Sequence, residues 1–334
     1  MRAICLSTEQ GTLLQEVEAP PKAEPNHLII KMEACGINPG DLAFISGAIP
    51  RGFSPESVHD ICGVSGAGEV IEIGENVPEN YKGRKVAVYR SLKHSDTLIG
   101  TWSEIAHMHI QHCVTLPDNA STYEYSGSLV NAITPYAFHK QITAEGHGGI
   151  ICTAGLSATG RAMLGICLTY NIPIISIVRN KEEKDSLQKL NATYILIQDD
   201  PDFETQLEKL SIELNTTAVF DGVGGELISR VAKVLPRGST IYSYGFLGGQ
   251  EPLSVHTSLV LMKNLTIKGF GNFTSETVQN TEQLEIALKQ LSEIISMPHF
   301  KTKVGKTFQL EEFKEAMEFT SNDGGKAVIC PVSK

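Results

Sequence analysis

The sequence predicts an α/β protein with two parts, a partly open barrel of short β-strands and a doubly wound sheet of six parallel strands. Three observations lead to this prediction. Up to about residue 120, short apolar runs alternate with Gly and Pro, as in all-β regions. From about Ser126 onward, helical and strand-like segments alternate, which is typical of a parallel sheet with crossover helices. Beginning at Gly148, a buried strand, a turn of small residues and a helix follow one another.

Length and composition are those of a globular protein with two domains. The chain has 334 residues, more than one typical domain, and its mean hydropathy is −0.05. Its net charge of −10 argues against binding to nucleic acid, which requires a basic surface. No apolar run reaches the roughly 18 residues of a membrane-spanning helix. We therefore expect neither a nucleic-acid nor a membrane partner.

Cysteine usage and the first residues favour a cytoplasmic protein. The seven cysteines are an odd number, are scattered, and form no C-x-x-C pair. Several lie within apolar runs, so we expect buried, reduced thiols. The segment Met1 to Ser7 is strand-like and has no apolar signal core.

The barrel part is predicted from short N-terminal strands and a mixed C-terminal tail. The strands are Met1 to Leu6, Leu28 to Ala34, Gly68 to Ile73, Lys85 to Tyr89 and Ile105 to Ile110. Turns are predicted at Pro20-Pro21, Pro39-Gly40, Gly52 to Pro55 and Glu75 to Pro78. The tail is predicted as a helix around Glu282 to Ile295, a strand near Thr307, a helix at Glu311 to Thr320 and a strand at Val328 to Cys330. Because the second sheet is already full, this tail is expected to complete the first domain.

The parallel sheet is predicted from six apolar runs. They are Ile150 to Thr153, Ile174 to Val178, Tyr194 to Ile197, Ala218 to Phe220, Thr240 to Ser243 and Leu265 to Lys268. The helices between them are predicted at Lys181 to Asn191, Phe203 to Leu214 and Glu226 to Val234, in addition to the one after Gly160. We therefore expect one domain at residues 1–126 with 273–334, and a dinucleotide-binding domain at residues 127–272.

The turn from Ala154 to Gly160 is the first candidate site. A pyrophosphate must approach the backbone closely at a helix N-terminus, where unpaired N–H groups and the helix dipole favour anions. The expected cradle is Ser157, Ala158 and Thr159. The full G-x-G-x-x-G spacing is absent, so an ordinary strand-to-helix turn is the alternative.

Basic residues follow the second strand of the sheet. An acidic residue at this point usually holds the ribose hydroxyls of a cofactor without the 2′-phosphate. This chain has Arg179, Asn180 and Lys181 instead, and a guanidinium can bind a phosphate with two hydrogen bonds. The sequence therefore predicts NADPH. The alternative is a solvated helix start, since Glu182 and Glu183 dilute the basic character.

Glycine-rich segments follow three further strands. In a parallel sheet the carboxyl ends of the strands face the ligand. The residues expected to line a nicotinamide pocket there are Val223, Tyr244, Gly245, Phe246 and Phe270. The alternative is three plain strand-to-helix turns.

Taken together, these segments resemble the medium-chain dehydrogenase/reductase superfamily over nearly the whole chain, and specifically its zinc-independent, quinone-oxidoreductase-like branch. The matching segments are 35–42, 63–70, 100–104, 131–137, the Ser157 turn, 221–225, Tyr244-Gly245 and 325–328. The resemblance implies a GroES-like domain, a Rossmann domain and a homodimer through the edge strand Leu265 to Gly269. It also implies that Asn38, Asn131 and Thr134 lie near the nicotinamide and its ribose, and that Lys326 reaches the cofactor.

The resemblance also bears on zinc. Cys35 matches one ligand of the zinc-dependent relatives, but Gly63-Val64-Ser65 stands in place of their Gly-His-Glu, and the third cysteine falls near Asn131. One thiolate without partners cannot hold Zn²⁺, so no metal is expected. His59, His94 and His107 are not at ligand spacing and are expected to be surface or loop residues.

The implied reaction is hydride delivery from NADPH to a quinone or an α,β-unsaturated carbonyl, with a small molecule as substrate. The alternative is reduction of a trans-2-enoyl thioester. The enoyl-thioester reductases place a catalytic Tyr two residues after the Gly that matches Gly47, where this chain has Ile49. Tyr89 and Tyr136 are possible substitutes, so the catalytic residues stay unassigned. An alternative of another class is a low-turnover NADPH-binding protein with a structural or RNA-binding role.

Overall fold

The computed structural model describes residues 1–7, 9–48, 56–249, 251–321 and 324–332. It consists of two compact units: unit 1 comprises Met1–Ile133 with Asn280–Lys334, and unit 2 comprises Thr134–Gln279. These limits lie a few residues beyond the boundaries expected at residues 126 and 272. The first of them falls inside a long helix, which the sequence patterns did not predict.

The secondary structure is mixed throughout the described residues. In chain order the β-strands are β1 (Arg2–Ser7), β2 (Gly11–Glu16), β3 (His27–Gly36), β4 (Ser65–Ile73), β5 (Lys85–Tyr89), β6 (Ile105–His109), β7 (Cys113–Thr115), β8 (Ile150–Cys152), β9 (Ile174–Val178), β10 (Tyr194–Ile197), β11 (Ala218–Asp221), β12 (Thr240–Ser243), β13 (Thr266–Gly269), β14 (Val304–Gln309) and β15 (Lys326–Cys330). The α-helices are α1 (Pro39–Ile45), α2 (Thr122–Tyr125), α3 (Ser128–Ala144), α4 (Ala158–Tyr170), α5 (Lys181–Gln188), α6 (Phe203–Glu213), α7 (Gly225–Val234), α8 (Thr257–Lys263), α9 (Glu276–Gln279), α10 (Thr281–Ile294) and α11 (Phe313–Glu318).

Unit 1 is organised around β3, the longest strand of its main sheet. The sheet has the order β14-β15-β3-β4-β5-β7, with β6 also paired to β3, and β1 and β2 form a separate two-stranded sheet. Buried side chains such as Ile30, Met32 and Trp102 form its core. The C-terminal strands β14 and β15 join this sheet, which confirms that the tail completes the first domain as a GroES-like sheet domain.

Unit 2 is built on a six-stranded sheet of order β10-β9-β8-β11-β12-β13, in which every neighbouring pair is parallel. Its central strands are apolar on both faces because helices cover both faces. Thus Ile150 and Phe220 belong to one core cluster, whereas Ile151 and Val219 belong to another. The predicted doubly wound sheet is confirmed. The strand order reverses between β8 and β11, which is where such sheets bind ligands.

Local predictions differed from the structure in several places. Pro39-Gly40, predicted as a turn, opens α1, because Pro at the first helical position suits a helix start. The predicted turn at Gly52 to Pro55 lies outside the described residues. Strands β2 and β7 and helices α3 and α8 were not predicted. Helix α3 contains Pro135 and carries apolar residues on all sides, so it lacks the one-sided pattern of a surface helix.

Buried polar residues and thiols correct or extend the expectations. All seven cysteine side chains are buried. His107, expected at the surface or in a loop, is 1% exposed within β6, and its ring stacks on His27 at 4.9 Å. His59 and His94 are exposed as expected. Among the described residues, no helix is long and apolar enough to cross a membrane.

Candidate functional site

The turn between β8 and α4 brings backbone atoms very close together. A Cβ atom at Gly160 would lie 2.4 Å from the carbonyl oxygen of Ala154, so only glycine fits there. Ala154 itself has φ +51°, in the left-handed region. The amide of Gly155 donates to the carbonyl of Ile177 at 2.9 Å, which ties the turn to the end of β9. The turn is therefore tight, fixed and lined by backbone.

Ser157 begins helix α4. Its Oγ accepts a hydrogen bond from the amide of Gly160 at 3.0 Å, which is an N-cap interaction. The hydroxyl can still donate its own hydrogen to a ligand. Ala158 and Thr159 follow in the first turn of the helix and are partly exposed, as an anion cradle requires.

Arg161, in the same helix turn, was not identified from the sequence. Its side chain is partly buried, and burial lowers its pKa. Among the described residues, no carboxylate acts on its charge. A cation near the positive end of a helix is unfavourable, and an anion bound there would offset the unfavourable charge. Arg161 is thus a second candidate to bind phosphate.

The strand ends that flank the reversal in strand order are joined by Thr153 and Asp221. Thr153 Oγ1 donates to Asp221 Oδ1 at 2.8 Å and accepts from the amide of Gly222 at 2.9 Å. The amides of Val223 and Gly224 also donate to Asp221 Oδ1, at 3.1 and 3.2 Å. These bonds fix the glycine-rich segment after β11. They also explain the placement of Val223, whose backbone is held by Asp221.

One oxygen of Asp221 is unsatisfied. Asp221 is fully buried, and its Oδ2 has no hydrogen-bond partner among the described residues. Burial raises the pKa of this carboxyl, although the bonds from Thr153, Gly224 and Val223 oppose the shift. A buried acceptor without a partner is costly, and a ligand hydroxyl, a water molecule or a proton would satisfy it.

The aromatic residues after β12 and β13 divide into exposed and buried ones. Tyr244 stacks on Phe220, with ring centroids 3.9 Å apart, and its hydroxyl lies buried beside Gly222. Burial raises its pKa. Gly245 packs against Gly222, and Phe246 is 62% exposed. Phe270 was expected to line a pocket, but it is only 8% exposed and belongs to a hydrophobic core cluster, in which its ring contacts those of Phe138 and Phe220.

The predicted basic residues lie at the end of β9 and the start of α5. Asn180 caps α5 by accepting a hydrogen bond from the amide of Glu183 at 2.9 Å, and Lys181 is exposed. Arg179 is exposed but engaged: its Nε donates to Glu183 Oε1 at 2.8 Å, and its backbone amide donates to Glu183 Oε2 at 3.0 Å. The arginine that was predicted to bind phosphate is therefore already paired with the carboxylate of Glu183.

These residues of unit 2 fit a dinucleotide cofactor. A Cβ atom does not fit at Gly160, helix α4 begins directly after the turn, and Arg161 lacks a carboxylate partner among the described residues. Asp221 offers an unsatisfied oxygen at the reversal in strand order. Each feature is what a pyrophosphate and a ribose require of a protein.

In unit 1, Asn38 is the centre of a buried polar network. Its Nδ2 donates to Ser65 Oγ at 2.9 Å and to Asp41 Oδ2 at 3.1 Å, and its Oδ1 accepts from Lys326. Asn38 is 7% exposed, and its amide is fully engaged with the protein. Asn38 therefore holds the ammonium group of Lys326 in place.

Asp41 completes this network. Its Oδ2 accepts from the amide of Asn38 at 2.9 Å, and its Oδ1 accepts from the amide of Val64 at 3.0 Å. Burial raises the pKa of Asp41, while Asn38 and the buried Arg90 oppose the shift. Arg90 is 3% exposed and donates to the carbonyl of Ile61 at 2.8 Å.

The remaining two predicted residues lie in α3. Asn131, in unit 1, donates from Nδ2 to the carbonyl of Gly127, the residue before α3, at 2.6 Å. Thr134, in unit 2, accepts from Asn272 Nδ2 at 2.7 Å. The structure therefore joins Asn38 with Lys326, and Thr134 with Asn272.

The side chains around Cys35 do not fit a zinc ion. Cys35 donates its thiol hydrogen to the carbonyl of Thr101 at 2.9 Å, and burial raises its pKa well above the usual value. Within the described ranges, no group of three His, Cys, Asp or Glu side chains is placed to hold a metal ion.

The tyrosines considered as proton donors are core residues. Tyr89 is 6% exposed and Tyr136 is 1% exposed. Burial raises the pKa of Tyr136, which makes it a poorer acid. Ile49, which occupies the position of the catalytic Tyr of the enoyl-thioester reductases, lies outside the described residues.

Three further residues were missed from the sequence. Thr153 ends an apolar strand and resembles any β-branched core residue there. The signal for Arg161 was a cation in the first turn of a helix, where acidic residues are usual. The signal for Glu183 was its spacing of four residues from Arg179, which suits an ion pair on a helix.

Comparison with known proteins gives consistent matches. The family model described as "Alcohol dehydrogenase GroES-like domain" matches residues 24–118, and the model described as "Zinc-binding dehydrogenase" matches residues 158–288. A mitochondrial enoyl-[acyl-carrier-protein] reductase of Schizosaccharomyces pombe is 26% identical, over 75% of this chain and 70% of the relative. Reductase 2 of the same name from Candida tropicalis is 27% identical, over 81% and 75%.

Solved structures show the same fold. A proposed NADPH:quinone reductase from Mesorhizobium loti superposes with a TM-score of 0.77 at 23% identity, over 99% of this chain and 98% of the other. The complex of Etr1p with NADP and crotonyl-CoA superposes with a TM-score of 0.77 at 20% identity, over 98% and 99%. At these identities the likeness shows the fold alone.

Proposed function

Because the chain belongs to the medium-chain dehydrogenase/reductase superfamily, near its enoyl-thioester reductases, we propose that it is an NADPH-dependent reductase of carbon–carbon double bonds conjugated to a carbonyl. Enones and enoyl thioesters are the proposed acceptors. Simple quinones are the second candidate, favoured by the structural neighbour from Mesorhizobium loti, which matches nearly the whole chain.

One observation carries the cofactor part of the proposal. The turn from β8 to α4 has no space for a Cβ atom at Gly160, and it opens directly onto a helix N-terminus. This arrangement suits a pyrophosphate. Arg179 follows at the end of β9, where a 2′-phosphate would be recognised. Bound NADPH supplies the hydride, and the protein supplies binding and orientation.

Two observations bear on the acceptor. The similar curated proteins are named enoyl-[acyl-carrier-protein] reductases, which act on a double bond conjugated to a thioester carbonyl. The polar network of unit 1 also holds a cation, because Asn38 accepts from Lys326 and is itself fixed by Ser65 and Asp41. When a double bond of this kind is reduced, negative charge develops on the carbonyl oxygen. An oriented ammonium group stabilises such charge.

The function is tested by following NADPH oxidation with matched substrates. Crotonyl-CoA, a simple enone and a benzoquinone are compared, with butyryl-CoA as the saturated control. We expect turnover of the first two and none of butyryl-CoA. Turnover of the quinone alone would favour the second candidate, and no turnover of any of them would contradict the proposal.

The role of Lys326 is tested by Lys326→Met. If its charge acts on the acceptor, kcat falls by about 100-fold, the usual effect of losing one stabilising group, while the dissociation constant of NADPH changes little. The resemblance alone implies contact with the cofactor instead. A loss of NADPH affinity with an unchanged kcat would favour that role and contradict ours.

A homodimer is also part of the proposal. β13 is the edge strand of the six-stranded sheet, and Ile267 within it is 40% exposed. Next to it in the chain, Leu261 and Met262 of α8 are 76% and 68% exposed. An uncovered edge with apolar neighbours is typical of an interface. Sedimentation should show a dimer for the wild type and a monomer for Ile267→Lys; a wild-type monomer would contradict this.

The cytoplasmic location stays a prediction, and the relatives named above are mitochondrial.

A further inference from the structure

Glu183 occupies one edge of the guanidinium that is proposed to bind the 2′-phosphate. Arg179 Nε and one of its terminal nitrogens both donate to Glu183 Oε1, the first at 2.8 Å. The other carboxylate oxygen accepts from the backbone amide of Arg179 at 3.0 Å. The guanidinium retains its other edge, with the remaining donors of its five, so the arginine is shared rather than blocked.

The two partners differ in exposure. The Arg179 side chain is 68% exposed, whereas that of Glu183 is 13% exposed. A phosphate in solution can therefore reach the guanidinium. The carboxylate is the less mobile partner, because the backbone amide of Arg179 and the cap by Asn180 hold its residue in place. A bound 2′-phosphate would consequently lie close to a fixed negative charge.

This arrangement affects the two cofactors in opposite ways. A carboxylate repels the 2′-phosphate of NADPH and partly neutralises the arginine that attracts it. The same carboxylate is an acceptor for the 2′-hydroxyl of NADH, which is the usual role of an acidic residue at this place in the fold. Glu183 thus opposes the preference that Arg179 creates.

We infer that Glu183 is a specificity-determining residue that limits discrimination between NADPH and NADH by holding a carboxylate against Arg179. The inference rests on the proposed function, since it concerns the same cofactor site. It predicts that the wild-type protein binds both cofactors, with only a modest preference for NADPH.

The test is the binding of cofactors and of their fragments to Glu183→Gln, measured by calorimetry without any substrate. We expect the ratio of NADPH to NADH affinity to rise about fivefold at low salt, the size of one charge interaction near the surface, and less at physiological salt. The ratio for 2′,5′-ADP over 5′-AMP should rise by the same factor, because these fragments differ only in the 2′-phosphate.

Glu182→Gln is the matched control. It removes the same charge from the neighbouring position of α5, where the side chain is exposed and makes no bond to Arg179. We expect it to change the ratio less than twofold. In an Arg179→Gln background, Glu183→Gln should raise the ratio by a smaller factor, because the neutralisation of Arg179 is gone and only the direct effects of the carboxylate on the two cofactors remain.

The outcomes distinguish a failure of the proposed function from a failure of the role inferred for Glu183. If the wild type binds neither cofactor, the proposed function and this inference both fail. If it binds them and Glu183→Gln leaves the ratio unchanged, or lowers it, only this inference is overturned. A lowered ratio would show that Glu183 serves to orient Arg179 for the phosphate.

Discussion

Among the described residues, each unit has a buried carboxylate near a candidate site, and the two carboxylates differ in how their oxygens are hydrogen-bonded. Asp41 in unit 1 is 2% exposed, accepts hydrogen bonds on both oxygens and has the buried cation Arg90 beside it. Asp221 in unit 2 is fully buried and accepts three hydrogen bonds on one oxygen, but none of the described residues bonds to the other.

The difference separates a structural network from a binding surface. Around Asp41 the protein satisfies its own polar groups, so the network fixes Asn38 and Lys326. Around Asp221 the chain leaves an oxygen unsatisfied, and in the nearby helix Arg161 lacks a carboxylate partner among the described residues. Unsatisfied buried groups cost stability, and they persist in proteins where a ligand or water completes them.

The largest effect is expected on the free energy of unfolding, when Asp41, the carboxylate whose two oxygens both accept hydrogen bonds, is replaced. Asp41→Ala removes the partner of two backbone amides and the charge opposite Arg90. Breaking such a buried pair typically costs about 3 kcal/mol or more, so we expect unit 1 to be destabilised by about 3 kcal/mol in urea denaturation. Asp41→Asn, which keeps the shape and one acceptor, should cost less. A loss below about 1 kcal/mol in the alanine variant would show that the network is not structural.

The second largest effect is expected on cofactor affinity, when Arg161 in the first turn of α4 is replaced. Arg161→Gln should weaken binding of NADPH and NADH by about tenfold each, the value of one charge-assisted hydrogen bond to a phosphate common to both. The ratio between them should stay the same. Arg237→Gln, which removes an exposed cation of the same unit, is the control. Unchanged affinities would make Arg161 a purely structural residue, and a changed ratio would move its role to the 2′-phosphate.

The sequence was informative where a pattern is local. The six parallel strands were predicted because each is a short run of mostly apolar residues between Gly or polar turns, and burial of the central strands on both faces requires such a run. The Ser157 turn was predicted for the same reason, since only small residues allow the backbone approach seen at Gly160. By contrast, α3 was missed because its surroundings, and not its pattern, stabilise it; it carries Pro135 in its interior.

The sequence patterns did not predict which side chains contact one another. Asn38 was expected near the cofactor on the basis of family resemblance, which stays a prediction, but its hydrogen bonds to Ser65 and Lys326, both far from it in the chain, were not foreseen. Phe270 follows a strand end, as pocket residues do, yet its ring packs into the core. The bond between Arg179 and Glu183 depends on where α5 begins, and helix boundaries are the least predictable feature of a sequence.

The smallest effect is expected on the pH dependence of stability, which tests whether Asp221 Oδ2 lacks a hydrogen-bond partner. Because burial raises the pKa of Asp221, the folded state binds this proton more tightly than the unfolded state does. The stability of the wild type therefore falls as pH rises from the ordinary pKa of an aspartate, about 4, through the raised value. Asp221→Asn does not titrate. Its stability should match the wild type at acidic pH and exceed it by about 1 kcal/mol near neutrality, the lower end of the cost of a buried unsatisfied group.

The matched variant is Asp185→Asn, which removes the same charge from an exposed position in α5. It should show no such pH dependence in thermal or urea unfolding.

If Asp221→Asn is instead less stable than the wild type at neutral pH, the carboxylate is satisfied in solution by a bound water molecule or ion. In that case the two buried carboxylates are equivalent, and the unsatisfied oxygen does not distinguish a binding surface from a structural network. If the variant is more stable and also binds NADPH more weakly, the oxygen that costs stability is one that the cofactor uses.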